Sequence, residues 1–228
     1  SDSGVLDIAT TASFATTAAN GNVVLDQASD IDGALSLSTH GTGTSSVTNL
    51  TDAIEFGTVS SATLTVEADG AITQSNAVTI SGDVSFTNTD GDNAAISLNN
   101  ESNSFGGSIA LATDSGSAVT LTDTTAIELP ALTVASLTVT SGGAVTVTDS
   151  STLTVTGATS ISASGQNITL NDSSSTFGAT HQISTGSFGS GAVGGGGGSA
   201  ADFHHHNHPA AVDLVRVESP GEASPFYI

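Results

Sequence analysis

Long stretches of this chain are spelled twice. Asp52 to Val66 reads DAIEFGTVSSATLTV and Thr125 to Val139 reads TAIELPALTVASLTV, so that Ala53-Ile54-Glu55-Phe56 returns as Ala126-Ile127-Glu128-Leu129. Ile96-Ser97-Leu98-Asn99-Asn100, followed by Ser104-Phe105-Gly106, returns at nearly the same offset as Ile168-Thr169-Leu170-Asn171-Asp172, followed by Thr176-Phe177-Gly178. A third, partial copy aligns Phe14 with Phe86 and Ile161, Leu25 with Leu98 and Leu170, and Ala34-Leu35-Ser36-Leu37 with Ser108-Ile109-Ala110-Leu111. Roughly two and a half copies fill residues 5–187. A fixed long period, here about 73 residues, marks a stack of like units, each burying its apolar face only against its neighbours.

Within the unit, apolar and hydroxyl residues alternate over short runs, as in Leu137/Val139, Val145/Val147 and Leu153/Val155, and the runs recur every seven or eight residues. This is strand periodicity. Between the runs stand turn formers such as Ser141-Gly142-Gly143, Thr156-Gly157 and Ser164-Gly165-Gln166-Asn167, which supply left-handed backbone or side-chain turn bonds. A sandwich gives each strand a different neighbourhood and needs no copy at a fixed offset. A β-solenoid needs one. Three faces of about eight residues predict a coil of about 24, three coils per repeat, and equivalent residues stacked one above another. The predicted inward positions are Leu64, Val66, Ile72, Val78, Ile80, Phe86, Ile96, Leu98, Leu111, Leu121, Leu137, Val139, Val145, Leu153, Val155, Ile161, Ile168 and Leu170.

Segments such as SATLTVEADGAITQSNAVTISGDVSFTN and ITLNDSSSTFG resemble the β-strand repeats of filamentous haemagglutinin-type surface adhesins. The resemblance covers about residues 5–187. It implies a right-handed parallel β-helix, export to a bacterial cell surface and a role in adhesion or as an extended stalk. The expected class is therefore all-β, a three-faced parallel β-solenoid over 1–188.

Composition then narrows the partners. The net charge is −21 with a single Lys or Arg, so neither phosphate neutralisation on a nucleic acid nor a polybasic membrane patch is available. No run of 18 apolar residues predicts a membrane span. The absence of Cys leaves stability to backbone pairing and burial rather than disulfides. A chain that starts at Ser1 suits an exported product whose signal has been removed.

The tail changes character. Residues 189–202 form a Gly-rich linker with Gly194 to Gly198 in one run, and 203–228 carry a His-rich segment and a strand-forming arm. His204, His205, His206 and His208 are candidate ligands for Cu²⁺, Ni²⁺ or Zn²⁺. Val212, Leu214, Val215, Arg216 and Val217 alternate as a strand, and Phe226, Tyr227 and Ile228 supply an apolar end. These eight residues are expected to form an assembly arm that adds to a sheet edge of a neighbour.

Other chemistry is thin. Asp90-Gly91-Asp92-Asn93 with Glu101 at the twelfth position has the outline of a calcium loop, but Ala94 and Ala95 stand where a ligand and the turn Gly belong. Diffuse divalent-cation binding by the acidic surface is the expectation, with no cofactor required. The carboxylate pairs Asp30/Asp32 and Asp90/Asp92 fall where turns are predicted, so capping is favoured over acid–base work. Polysaccharide cleavage needs cations beside the developing charge, and Arg216 stands alone. No enzymatic activity is expected. The outward Thr pairs 138/140, 146/148 and 154/156 are eight apart and belong to successive faces rather than one flat array. With no cap visible at either end of the repeats, the leading expectation is a secreted filament subunit that polymerises with itself, head to tail, with arm exchange. The alternative is an adhesin or stalk segment that binds carbohydrate or a host surface, and His-cluster metal binding is an accessory role.

Overall fold

Alternating Val, Leu and Ile with Ser and Thr produces short strands with one apolar face, and the turn formers stop each strand before it can lengthen. The computed structural model describes residues 3–27, 29–49, 52–88, 91–179, 181–185 and 215–217. These residues wind into a parallel β-solenoid of about 8 coils with no helix.

The first coil comprises β1 (Asp7–Ile8), β2 (Ala12–Ala15) and β3 (Val23–Leu25); the second, β4 (Asp30–Ile31), β5 (Leu35–Ser38) and β6 (Thr44–Asn49). In the third, β7 (Ile54–Ser61) serves two faces in one strand before β8 (Thr63–Ala68). The fourth holds β9 (Ile72–Gln74), β10 (Val78–Ile80) and β11 (Val84–Asn88), and the fifth β12 (Ile96–Leu98), β13 (Ser104–Phe105) and β14 (Ile109–Thr113). The sixth holds β15 (Ala118–Asp123), β16 (Ile127–Glu128) and β17 (Leu132–Val134). The seventh holds β18 (Ser136–Ser141), β19 (Val145–Val147) and β20 (Leu153–Val155). The eighth holds β21 (Thr159–Ala163), β22 (Ile168–Leu170) and β23 (Thr176–Phe177), after which β24 (His181–Ser184) opens a ninth. β25 (Val215–Val217) lies on β24.

One face therefore runs β1, β4, the first half of β7, β9, β12, β15, β18, β21 and β24. The second runs β2, β5, the rest of β7, β10, β13, β16, β19 and β22, and the third β3, β6, β8, β11, β14, β17, β20 and β23. Every strand pair is parallel, and within the coils the paired positions on a face range in spacing from Thr120↔Thr138 to Thr79↔Ser104. At about 4.8 Å per coil the stack is roughly 40 Å tall.

The interior is one continuous apolar column that includes Phe56, Phe86 and Phe105, all essentially without exposed surface. All the inward positions expected from sequence are buried except Leu170, which is half-buried and packs against the column's end. In β7 the inward alternation slips by one at Phe56-Gly57, both buried, where the strand passes from one face to the next. A Cβ on Gly57 would stand 2.4 Å from the Ser36 hydroxyl, so a larger residue at this passage would have to turn the Ser36 side chain aside.

One expectation is corrected. Equivalent residues do not stack. Leu64 and Val66 lie in β8 on the third face, paired with β6 and β11, but their copies Leu137 and Val139 lie in β18 on the first, paired with β15 and β21. Likewise β9 corresponds to β19, β12 to β22 and β13 to β23, each one face further round. The reason is a count. β7 covers two faces in one strand, and its copy covers two as β16 and β17, divided around Pro130, which has no N–H for a continuous ladder, so each copy has two segments here. The repeat is thus ten strand segments, three and a third coils. Successive repeats are related by a third of a turn.

Candidate assembly surfaces

The residues that define the repeat most sharply are at its corners. Asn20, Asn93 and Gly165 are equivalent, and their φ values are 62°, 61° and 67°. This left-handed conformation favours Asn and Gly. The Asn20 side chain accepts from Thr42 N–H at 2.9 Å and that of Asn93 from Gly116 N–H at 3.1 Å, each on the next coil, while Gly165 N–H donates to the Thr185 carbonyl at 2.7 Å. A second set is Ser29, Asn103 and Ser175, which reach back to the preceding coil. Ser29 Oγ accepts from Leu6 N–H at 3.2 Å, Asn103 Oδ1 from Val78 N–H at 2.9 Å, and Ser175 Oγ from Leu153 N–H at 2.9 Å. Each strand that begins at a corner would otherwise leave an orphan donor near the apolar column. Asn103, fully buried, adds a reciprocal amide pair with Gln74 at 2.8 Å and a bond to the Leu98 carbonyl at 3.2 Å. The sequence reading named Gly165 as a turn former but missed the other members and the equivalence of each set, although the long offset between copies aligns them.

Of the acidic pairs expected to cap turns, Asp92 does so, whereas Asp30 lies in strand β4. Asp92 caps Ala94 N–H at 2.8 Å, and Asp114 accepts from Gly91 N–H at 2.8 Å and Asn93 N–H at 3.3 Å. Glu101 belongs to the turn beyond β12, on the far side of that strand, and Asp90 lies outside the described residues. Asp83 accepts from the Ser108 hydroxyl and N–H, both at 2.8 Å, which hold its carboxyl below the usual range. The Ser175 hydroxyl does the same for Asp172 at 2.8 Å. Asp30 is shifted upward, by desolvation first and then by Asp32, Asp7 and Asp52. Among the described residues no three His, Asp or Glu converge as a metal site. His204, His205, His206 and His208 lie outside them.

His40 Nδ1 donates to the Thr16 carbonyl at 2.7 Å, joining two coils. His181 stands edge-on to Phe177 with ring centres 5.3 Å apart, and burial lowers its pKa. The Thr pairs on β18, β19 and β20 do lie on three different faces. No helix among the described residues is long and apolar enough to cross a membrane.

What remains is at the ends. The half-buried apolar residues packed against the column are Leu6, Ile8, Ala12 and Phe14 on the first coil and Leu170 and Phe177 on the eighth. Val5, 66% exposed, is the one large hydrophobic residue fully open to solvent among the described residues. Of the expected arm, Val215, Arg216 and Val217 form β25, which pairs in parallel with β24 of its own chain through His181↔Val215, Gln182↔Arg216 and Ile183↔Val217. Val212, Leu214, Phe226, Tyr227 and Ile228 lie outside the described residues.

Comparison with known proteins agrees with the ten-strand unit. Residues 42–112 and 116–184 each match the family described as repeats of unknown function, DUF5649. The first match spans β6 to β14 and the second β15 to β24, which is ten strand segments each when β7 is counted for both its faces. No curated protein and no solved structure matches the chain. With more than half of its length in two consecutive matches, the chain belongs to the DUF5649 repeat family.

Proposed function

We propose that this chain is a non-catalytic structural subunit of a secreted extracellular filament, polymerising head to tail by stacking coil on coil. The observation that carries the reading is the confinement of the half-buried apolar side chains that pack against the column to the first and eighth coils. The edge strands at the two ends are parallel to each other, so the unpaired N–H and C=O groups of one end are the complement of those at the other. Head-to-tail contacts of this kind do not close and generate fibres. The extracellular setting follows from the resemblance to surface adhesin repeats. Opposing assembly is the charge of −21 per copy, whose repulsion is screened over about 10 Å at 0.1 M salt.

Electron microscopy of the purified chain, with light scattering during a titration of NaCl or Ca²⁺, tests the proposal. Long uniform fibres that form faster as salt rises support it. Isolated rods about 40 Å tall under all conditions overturn it in favour of an adhesin or stalk segment.

A further inference from the structure

From β1 to β24, counting β7 for both its faces, the solenoid contains 25 strand segments, or eight and a third coils. β1 and β24 therefore lie on the same face. Among the described residues, the next vacant strand position after β24 is not on that face but on the second, above β22. Resting on the head-to-tail reading, we infer that each copy seats its β1 on the preceding copy's β22 and its β2 on that copy's β23, so that successive subunits are turned by a third of a revolution.

Two observations carry this. The first is steric. A copy added without rotation puts β1 on β24 and leaves two strand positions empty above β22 and β23, so Leu170 and Phe177 stay uncovered; a rotation of two thirds leaves one position empty. Empty positions expose both apolar surface and unpaired backbone groups. Only the one-third turn leaves neither. The second is a match of exposures. On the first coil the half-buried apolar residues that pack against the column belong to β1, its flank and β2, and none to β3; on the last coils they belong to β22 and β23, while Ile183 of β24 is buried. With the one-third turn, Leu6 and Ile8 cover Ile168 and Leu170, and Phe14 covers Phe177. The rise per subunit becomes eight and a third coils, about 40 Å at 4.8 Å each.

The stack also assigns a consequence to β25. The incoming β3 takes the position on β24 that β25 holds in the single chain, so β25 leaves β24 as a copy docks.

The natural chain has no Cys, which permits a direct test with two double variants. Asp7, Thr169 and Gln182 are all exposed on their strands. In the rotated stack Asp7 stands beside Thr169, and in the unrotated stack beside Gln182. Adjacent outward positions on neighbouring strands are about 4.8 Å apart, within disulfide reach. The two ends of one chain are some eight coils apart, so any bond is between copies. Asp7→Cys with Thr169→Cys is expected to give a ladder of oxidised oligomers on non-reducing gels, at least tenfold above Asp7→Cys with Gln182→Cys. Single-Cys variants set the background. Fibres whose ladder is stronger for the Asp7/Gln182 pair, equal for both, or missing for both overturn the rotation while leaving coil stacking intact. Absence of fibres from the natural chain and both variants overturns the rotation and the filament together.

Discussion

Asn103 offers the strictest test of the ten-strand unit, because its equivalents in the other two copies are Ser29 and Ser175. Asn103→Ala removes the acceptor of Val78 N–H and the donor to the Leu98 carbonyl, both buried, and breaks the amide pair with Gln74, which is partly exposed and rehydrates. Two buried backbone groups left unpaired at about 1–3 kcal/mol each predict a loss of about 2–6 kcal/mol. For a chain of this size, at about 3 °C per kcal/mol, that lowers Tm by roughly 6–18 °C. Asn103→Ser leaves a hydroxyl where the other copies use one on the same donor, at 3.2 Å to Leu6 N–H and 2.9 Å to Leu153 N–H. The serine variant should therefore lose only about half as much, roughly 3–9 °C. Thermal melts followed by far-ultraviolet circular dichroism measure both. If serine is as damaging as alanine, or if alanine shifts the melt by less than about 1 °C, the corner is not the interchangeable cap that its alignment with Ser29 and Ser175 implies.

Ile96→Asp should abolish folding, since residue 96 is 1% exposed in a narrow column with no partner for a charge; a soluble β-rich variant contradicts the solenoid core. Asp30→Asn should raise Tm at pH 7 and not at pH 3. The folded-state pKa of Asp30 is raised, so its ionisation lowers stability as pH rises through that value, and the penalty is absent where both folded and unfolded carboxyls are protonated; equal effects at both pH values refute this. Deleting residues 202–228 should leave the melt of the solenoid unchanged and shorten the lag before fibres appear in light scattering, because β25 no longer has to leave β24; a longer lag means that the arm bridges copies instead.

The fixed offset between Ala53-Ile54-Glu55 and Ala126-Ile127-Glu128 made the solenoid legible before any strand was located. Alternation then identified the inward residues, because in a parallel coil a side chain has only two directions, in or out. The strand count per repeat was hidden at one place. Phe56-Gly57-Thr58 and Leu129-Pro130-Ala131 are equivalent in register, but the first turns its corner inside one strand and the second between two, a distinction that period-two alternation does not encode. The corner caps escaped for a different reason. Ser, Asn and Thr are common throughout the chain, and the bonds of Ser29, Asn103 and Ser175 depend on a partner a full coil away in sequence. Leu170 followed its alternation inward, and its residual exposure reflects only its place at the end of the stack. The metal expectation at residues 204–208 lies outside the described residues.

A solenoid wound this way also has a mechanical character. The strands run around the rod, so the hydrogen bonds between them point along its axis, and tension along a fibre loads the bonds of each coil as a group. When one coil peels away, the whole stretch of sequence between neighbouring strands of a face, such as Thr120 to Thr138 or Thr79 to Ser104, is released as free chain. Drawn out at about 3.3 Å per residue, such a stretch spans about 60–80 Å, where the folded coil had contributed about 5 Å. Because each coil holds only to its neighbours, the rest of the rod keeps its structure while that slack is drawn out. Such a rod absorbs a sudden pull by lengthening in steps of one coil, and on slackening it can rewind onto the coils still in place.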